Sequence, residues 1–196
     1  MQWVGPNKDI FYLRTNFIGS LDNIPIAHKL FSILQDDLAP RRPKSAIIDL
    51  RLNNGGDFFN TVLFTEALPK LIAPTGKIFL LVDGGTFSAA LVTAAMIKGN
   101  APDRTLIVGD TMGDNSRFWA EGGIFKLPNS QMEIMYSGAL DDWANGCTGE
   151  IDCYWPVTAF GAKIETLKPN VHVVPTFAEY SKGRDPVFET ALSLAR

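Results

Sequence analysis

Ala46-Ile47-Ile48-Asp49-Leu50-Arg51-Leu52-Asn53-Asn54-Gly55-Gly56-Asp57 is the stretch that decides the fold. Its first five residues form a short apolar run, the signature of a strand buried on both faces of a parallel sheet. The run passes straight into a turn with two glycines, which lets the backbone approach another segment closely. The same arrangement occurs twice more: Ile78–Val82 ends in Asp83-Gly84-Gly85-Thr86, and Thr105–Val108 ends in Gly109-Asp110-Thr111-Met112-Gly113. Helical stretches separate these strands, from about Phe58 to Leu71 and, rich in alanine, from Phe87 to Lys98. Strand, turn, helix, strand in that order predicts an α/β domain with parallel strands and crossover helices.

Outward from this centre, Ile10 to Phe17 reads as a strand of β-branched and aromatic residues. Ile24 to Leu38 carries apolar residues at helical spacing, with Asp22 or Asn23 as its cap and Pro40 and Pro43 as punctuation beyond it. Past Arg117 the pattern changes to strands and turns. Phe125-Lys126-Leu127 and Met132 to Tyr136 predict a hairpin around Pro128-Asn129-Ser130. Asp185 as cap and Pro186 at the first helical position open a last helix, Val187 to Ala195. No repeat or linker interrupts the chain, so residues 1–196 read as one domain.

Composition narrows the function. The 196 residues include 18 Lys and Arg against 21 Asp and Glu, a net charge of −3, so there is no positive excess to meet phosphates and no nucleic-acid partner is expected. No run reaches the ~20 apolar residues of a membrane span, and Met1 to Lys8 lacks the apolar core of a signal peptide. Cys147 and Cys153 could close a short disulfide loop or remain two thiols. Zinc would need four ligands, with only His28 and His172 to add to the cysteines, so no metal site is expected. Each histidine reads as a surface or packing residue.

The chemistry should sit where parallel strands end and turns expose their amides. Ser88 follows a buried strand and two glycines and opens a helix, whose dipole favours developing negative charge. The amide of Ala89 and one from the Gly55–Gly56 turn could meet an oxyanion there. The competing reading makes Ser88 a plain helix cap and the glycines plain turn formers. Gly55–Gly56 could also cradle a phosphate, but no nucleotide motif accompanies it, and no cofactor is implied. Asp49, in a buried strand next to Arg51, reads as half of a structural ion pair.

At these residues the sequence resembles the tail-specific, or carboxyl-terminal processing, serine peptidases, together with their retinoid-binding-protein-like and tricorn-core relatives. Six blocks occur in family order: Ile47 to Gly56, Thr86-Phe87-Ser88-Ala89-Ala90, Gly109 to Gly113, Leu127 to Ser130, Pro169 to Val173, and Gly183-Arg184-Asp185-Pro186. The resemblance implies a Clp protease/crotonase-like superhelix of ββα units with a largely parallel sheet. It implies Ser88 as nucleophile, and Ala89 with Gly55 or Gly56 as oxyanion hole. The lysine of the Ser–Lys dyad would follow Gly113, where this chain has Asp114. Relatives without that lysine use an upstream histidine with a glutamate, and Glu165 is the match for the glutamate. The expected function is a serine endopeptidase core acting on proteins or peptides, in an extracytoplasmic setting where the cysteines would pair, with oligomerisation possible. The abrupt start, without a PDZ domain, is expected to reflect truncation. The alternatives are a pseudo-peptidase that binds peptide without turnover and, more remotely, an acyl-coenzyme A enzyme.

Overall fold

The computed structural model describes all residues except Asp22, Thr148, Ala162 and Lys163. The chain opens with β1 (Gln2–Val4) and β2 (Ile10–Arg14), followed by a small hairpin of β3 (Ser20–Leu21) and β4 (Ile24–Pro25). Helix α1 (Ile26–Ser32) continues through a π-helical segment, Ile33–Leu38, into α2 (Ala39–Arg41). Then come β5 (Ser45–Asp49), a 3-10 turn at Phe58–Thr61, α3 (Val62–Leu71), β6 (Ile78–Val82), α4 (Ala89–Asn100) and β7 (Thr105–Gly109). The remainder comprises β8 (Arg117–Lys126), β9 (Glu133–Asp142), α5 (Trp155–Phe160), β10 (Val171–His172), α6 (Phe177–Tyr180) and α7 (Pro186–Leu194).

The fold is α/β with a mostly parallel six-stranded sheet in the order β1-β2-β5-β6-β7-β10. Only β1 runs antiparallel to its neighbour. Every residue of β5 and β6 is buried, the double-sided burial that their apolar runs demand. Side chains alternate between the faces. Ala46, Ile48, Leu80 and Val82 join the larger core under α1, α3 and α4. Ile47, Phe79 and Leu81 face the other way, onto Val187, Ala191 and Ala195 of the C-terminal segment.

Several boundaries move. The first helix starts at Ile26, after a turn in which Asn23 has φ 63°, so Asn23 turns the β3–β4 hairpin and caps nothing. Asp22, the other expected cap, lies outside the described residues. Pro40 sits at the start of α2 and is tolerated there, because its missing N–H falls in the first turn. Arg42, at φ 43°, ends that helix. The hairpin is far longer than Phe125 to Tyr136: β8 and β9 pair from Arg117↔Asp142 to Lys126↔Glu133. Cys147 and Cys153 are joined in a disulfide, with 5.3 Å between their Cα atoms.

Candidate active site

The three glycine turns meet at the carboxyl ends of β5, β6 and β7 and are tied together by backbone and side-chain hydrogen bonds. Asp83 Oδ1 accepts from Leu52 N–H at 3.0 Å and Gly85 N–H at 2.9 Å. The Thr86 hydroxyl donates to Leu50 O at 2.9 Å and accepts from Asp83 N–H at 3.1 Å. Phe87 N–H donates to Asn53 O (3.1 Å), and Gly113 N–H to Thr86 O (3.0 Å). Ser88 is therefore presented on a turn fixed from both flanking strands.

Its conformation separates the two readings of Ser88. A capping serine takes an extended backbone and accepts an N–H from the first helical turn. Ser88 has φ 52° and ψ −126° and makes no capping hydrogen bond. That region costs an L-residue about 1–3 kcal/mol and is held only where the surroundings impose it. A strained serine on a sharp strand-to-helix turn is the geometry of a nucleophile elbow. The same strain explains why α4 starts at Ala89, two residues later than the sequence pattern predicts.

The amides around Ser88 are arranged by Asn53, which is buried and bonds the glycine turn from within. Its Nδ2 donates to Thr15 O at 2.9 Å, and its Oδ1 accepts from Gly55 N–H at 3.0 Å. Among the described residues, Gly56 N–H and Ala89 N–H have no acceptor. Gly55 contributes through its missing side chain. At φ +102°, a Cβ there would lie 2.7 Å from Ser88 Cβ and 2.9 Å from Ala89 N, filling the space over that amide. Gly56, at φ +131°, passes so close to Ile18 O that any Cβ would collide with it.

Asp49 is fully buried, and Arg51 grips it through Nε (2.9 Å) and Nη2 (2.7 Å). The same guanidinium holds both oxygens of Asp185 at 2.7 Å, so the strand-end turn is locked to the cap of α7. This is a structural ion-pair triad. Burial pushes Asp185 up most strongly of any single cause, but the hydrogen bonds from Arg51 and from Phe188 N–H, together with the Arg51 and Arg14 charges, outweigh it and hold the carboxyl below its ordinary range. Burial and the Asp49 carboxylate push the Tyr12 hydroxyl, bonded to Asp49 at 2.9 Å, up to about 12.

Ser88 Oγ has no hydrogen-bond partner among the described residues. Asp114 is half-buried and follows Gly113, which packs on Phe87; its carboxylate accepts from Asn115 N–H. Glu165 is not brought to Ser88. It is exposed, and its charge acts on Lys98 in the last turn of α4, roughly 15 Å along the axis from Ser88 at ~1.5 Å per residue. His28 is exposed on α1. His172, also exposed, pairs through Nε2 with Asp110 Oδ1 at 3.0 Å. Among the described residues, no group of three or more His, Cys, Asp or Glu is placed to hold a metal ion, and no helix is long and apolar enough to cross a membrane.

Sequence reasoning passed over Asn53, Asp83 and Thr86 as site-building residues. The available signal was positional: each is a small polar residue within three positions of a glycine at a strand end, where side chains commonly bond local amides.

No protein-family model matches the chain, and no curated protein matches it. Solved structures do. A protein from Parabacteroides merdae assigned as a peptidase aligns over 99% of this chain and 63% of its own, at 14% identity and TM-score 0.62. A protein from Bacteroides fragilis assigned to the S41 proteases aligns over 97% and 55%, at 11% identity and TM-score 0.59. Mature CPAF, complexed with lactacystin, aligns over 94% and 51%, at 14% identity and TM-score 0.57. The chain thus spans about half to two-thirds of these proteins, and the likeness shows that it has the peptidase-like fold.

Proposed function

We propose that the chain is the core of a serine-type endopeptidase that hydrolyses peptide bonds of protein substrates through an acyl-enzyme on Ser88. The observation that carries this reading is the Ser88 backbone, strained and uncapped beside two amides without acceptors. Ser88 Oγ attacks the scissile carbonyl carbon, and its proton passes to a base. The carbonyl oxygen becomes an oxyanion, and Ala89 N–H with Gly56 N–H are the donors for it; one such donor is worth ~3–4 kcal/mol of barrier. Collapse expels the amine, which takes up the proton, and water then releases the acyl group and restores Ser88. Full burial of Asn53 and the Arg51 triad keep the turns from relaxing under that strain. The Cys147–Cys153 disulfide supports an oxidising, extracytoplasmic compartment.

A second reading, peptide binding without turnover, is favoured by one observation: Ser88 Oγ meets no base among the described residues, and Asp114 stands where the resemblance would place lysine. Labelling with a fluorophosphonate, followed by intact mass, separates the two. A single adduct on Ser88, lost in Ser88→Ala, is the expected result; Asp114→Asn then tests the candidate base that follows Gly113. A folded chain that takes no label yet binds peptides overturns catalysis in favour of binding.

A further inference from the structure

An aromatic shelf begins just beyond Gly56. The 3-10 turn Phe58–Thr61 is seated by Phe58 and Thr61, both buried, and the Thr61 hydroxyl lies 2.9 Å from that of Thr93 on α4. The Phe59 ring stacks on Phe58 at 4.6 Å and stays 40% exposed. From another part of the chain, α5 is seated by its buried Pro156 and Val157, which leaves Trp155 at its start 60% exposed. The indole lies 5.7 Å from the Phe59 ring at 31° between planes, and Phe160 packs against both rings, at 6.1 and 6.2 Å.

Neither exposed ring is what seats its own element, since buried neighbours do that. Single exposed apolar side chains are ordinary, but large ones in contact form a patch, and such patches mark recognition surfaces. The shelf is also held in place beforehand. Tyr154 N–H donates to Leu140 O at 2.9 Å, and the disulfide ends at Cys153, two residues before Trp155. A surface ordered in advance loses less entropy when something binds to it.

Position chooses the occupant. Gly56 N–H is one of the two amides without acceptors beside Ser88. Three residues of chain span at most ~11 Å, so Phe59 stands within that distance of the donor. The exposed Phe17 ring comes within 3.3 Å of the Cβ position of Gly56, so the turn itself is bordered by apolar surface. An extended peptide with its carbonyl at Gly56 N–H advances ~3.3 Å per residue and reaches the shelf within about three residues. Resting on the peptidase reading above, we infer that Phe59 and Trp155 form a subsite for one aromatic side chain of the substrate, close to the scissile bond. The shelf offers ring faces, and an aromatic side chain gains there by offset stacking as well as by leaving water.

Calorimetric titration of the whole chain as Ser88→Ala tests this with acetylated, amidated hexapeptides of Ala and Ser. Each carries one Phe, Leu, Lys or Ala, moved through the six positions. At its best position Phe should bind about ten-fold or more tighter than Ala, and tighter than Leu or Lys. Adding Trp155→Ala should remove most of that advantage and leave the Ala peptide unchanged, whereas a disturbed fold would weaken both alike. Phe59→Leu, which keeps an apolar side chain in place, is the second variant and should lose the margin of Phe over Leu. Fluorophosphonate labelling of Ser88 reads the peptidase proposal separately. Label on Ser88 with no preference for Phe over Ala overturns the subsite alone. A Phe preference in a chain that takes no label keeps the subsite as a peptide-binding one and overturns catalysis. Tightest binding of the Lys peptide, or a Trp155→Ala variant that weakens every peptide equally, also overturns the subsite.

Discussion

The strand-end turns and the β8–β9 arm are both glycine-rich, and both bring backbones into contact too close for a Cβ. Gly56 lies against Ile18 O, Gly109 against Val82 O, and Gly122 against Tyr136 O. They differ in how many separate elements each is tied to. The turn after β5 is bonded to the segment after β2, to the turn after β6 and, through Arg51, to the cap of α7. Beyond Ala120↔Ala139 the arm, among the described residues, pairs only with itself, its root alone being tied to Asp152 and Tyr154 through Leu140. Backbone strain such as that of Ser88 can be maintained in the first region, because relaxing it would break contacts to several elements at once. In the second, little opposes local opening except the ribbon's own hydrogen bonds.

The largest way to break this comparison is Arg51→Ala. It leaves Asp49 fully buried without its cation, facing only the Tyr12 hydroxyl and the residue 51 amide. Losing one partner of a buried pair costs ~3–5 kcal/mol. Denaturant unfolding should show that loss, together with a lower fluorophosphonate labelling rate as the turn beside Ser88 loosens. The pH dependence has a defined sign. Asp185 is held below its ordinary value of 3.8, so its stabilisation is present above that pH and fades as pH falls through the lowered value. Arg51→Ala should remove this acid-side decline.

Gly55→Ala is the next test. The φ of +102° strains any L-residue by ~1–3 kcal/mol, and the new Cβ must displace Ser88 or the Ala89 amide. The variant should melt lower than wild type by that amount. Its labelling should fall further than stability explains, because the methyl group occupies the space over the Ala89 N–H. Labelling unchanged in a folded Gly55→Ala would separate that space from the chemistry.

Asp141 stands at the joint between the two regions, in the root of β9, and sharpens the contrast. It is 2% exposed; Oδ1 accepts from Trp143 Nε1 at 3.1 Å, while Oδ2 has no partner among the described residues. Burial, aided by the nearby Glu121 charge, raises its carboxyl to about 6 against the Trp143 hydrogen bond. Its contribution is therefore complete below pH ~4 and lost as pH rises through ~6, a change of about 3 kcal/mol for two pH units. Asp141→Asn should flatten that part of the stability profile and gain ~1–2 kcal/mol at pH 7–8. Urea midpoints of both proteins between pH 4 and 8 would show it. If the two curves run parallel, Asp141 is charged in the folded state across the whole range.

What the sequence made legible follows the same division. Burial on both faces leaves an unbroken apolar run, so β5, β6 and β7 can be read directly, and the glycines after them mark the turns that hold Ser88. β1 could not be read this way: it is a three-residue edge strand whose Trp3 is partly buried against Phe11 and Arg41, with no alternation long enough to register. The length of β8 was hidden by Glu121, Gly122 and Gly123, residues of low strand propensity that pairing with β9 overrides. Asn53 and Asp141 were missed because a polar residue reads as surface until its partners are known. The match for Glu165 rested on spacing along the chain, which does not fix which end of α4 the residue meets.

The smallest effect tests the arm itself. Lys126 and Glu133 close the ribbon at its tip with an ion pair more than half exposed on both sides. Exposed pairs contribute ~0.2–1 kcal/mol, and salt screens them. Lys126→Ala should therefore shift the unfolding midpoint of the dilute chain by an amount near the limit of measurement, and added salt should erase even that. Hydrogen exchange along Gly122–Lys126 and Glu133–Ser137 should still respond, because the amides of that stretch that are bonded across the ribbon depend on its staying closed. A local effect without a global one is what a stretch paired only with itself would give. A global loss on the scale of Arg51→Ala would instead place the arm within the cooperative unit that holds Ser88, and the contrast between the two regions would fail.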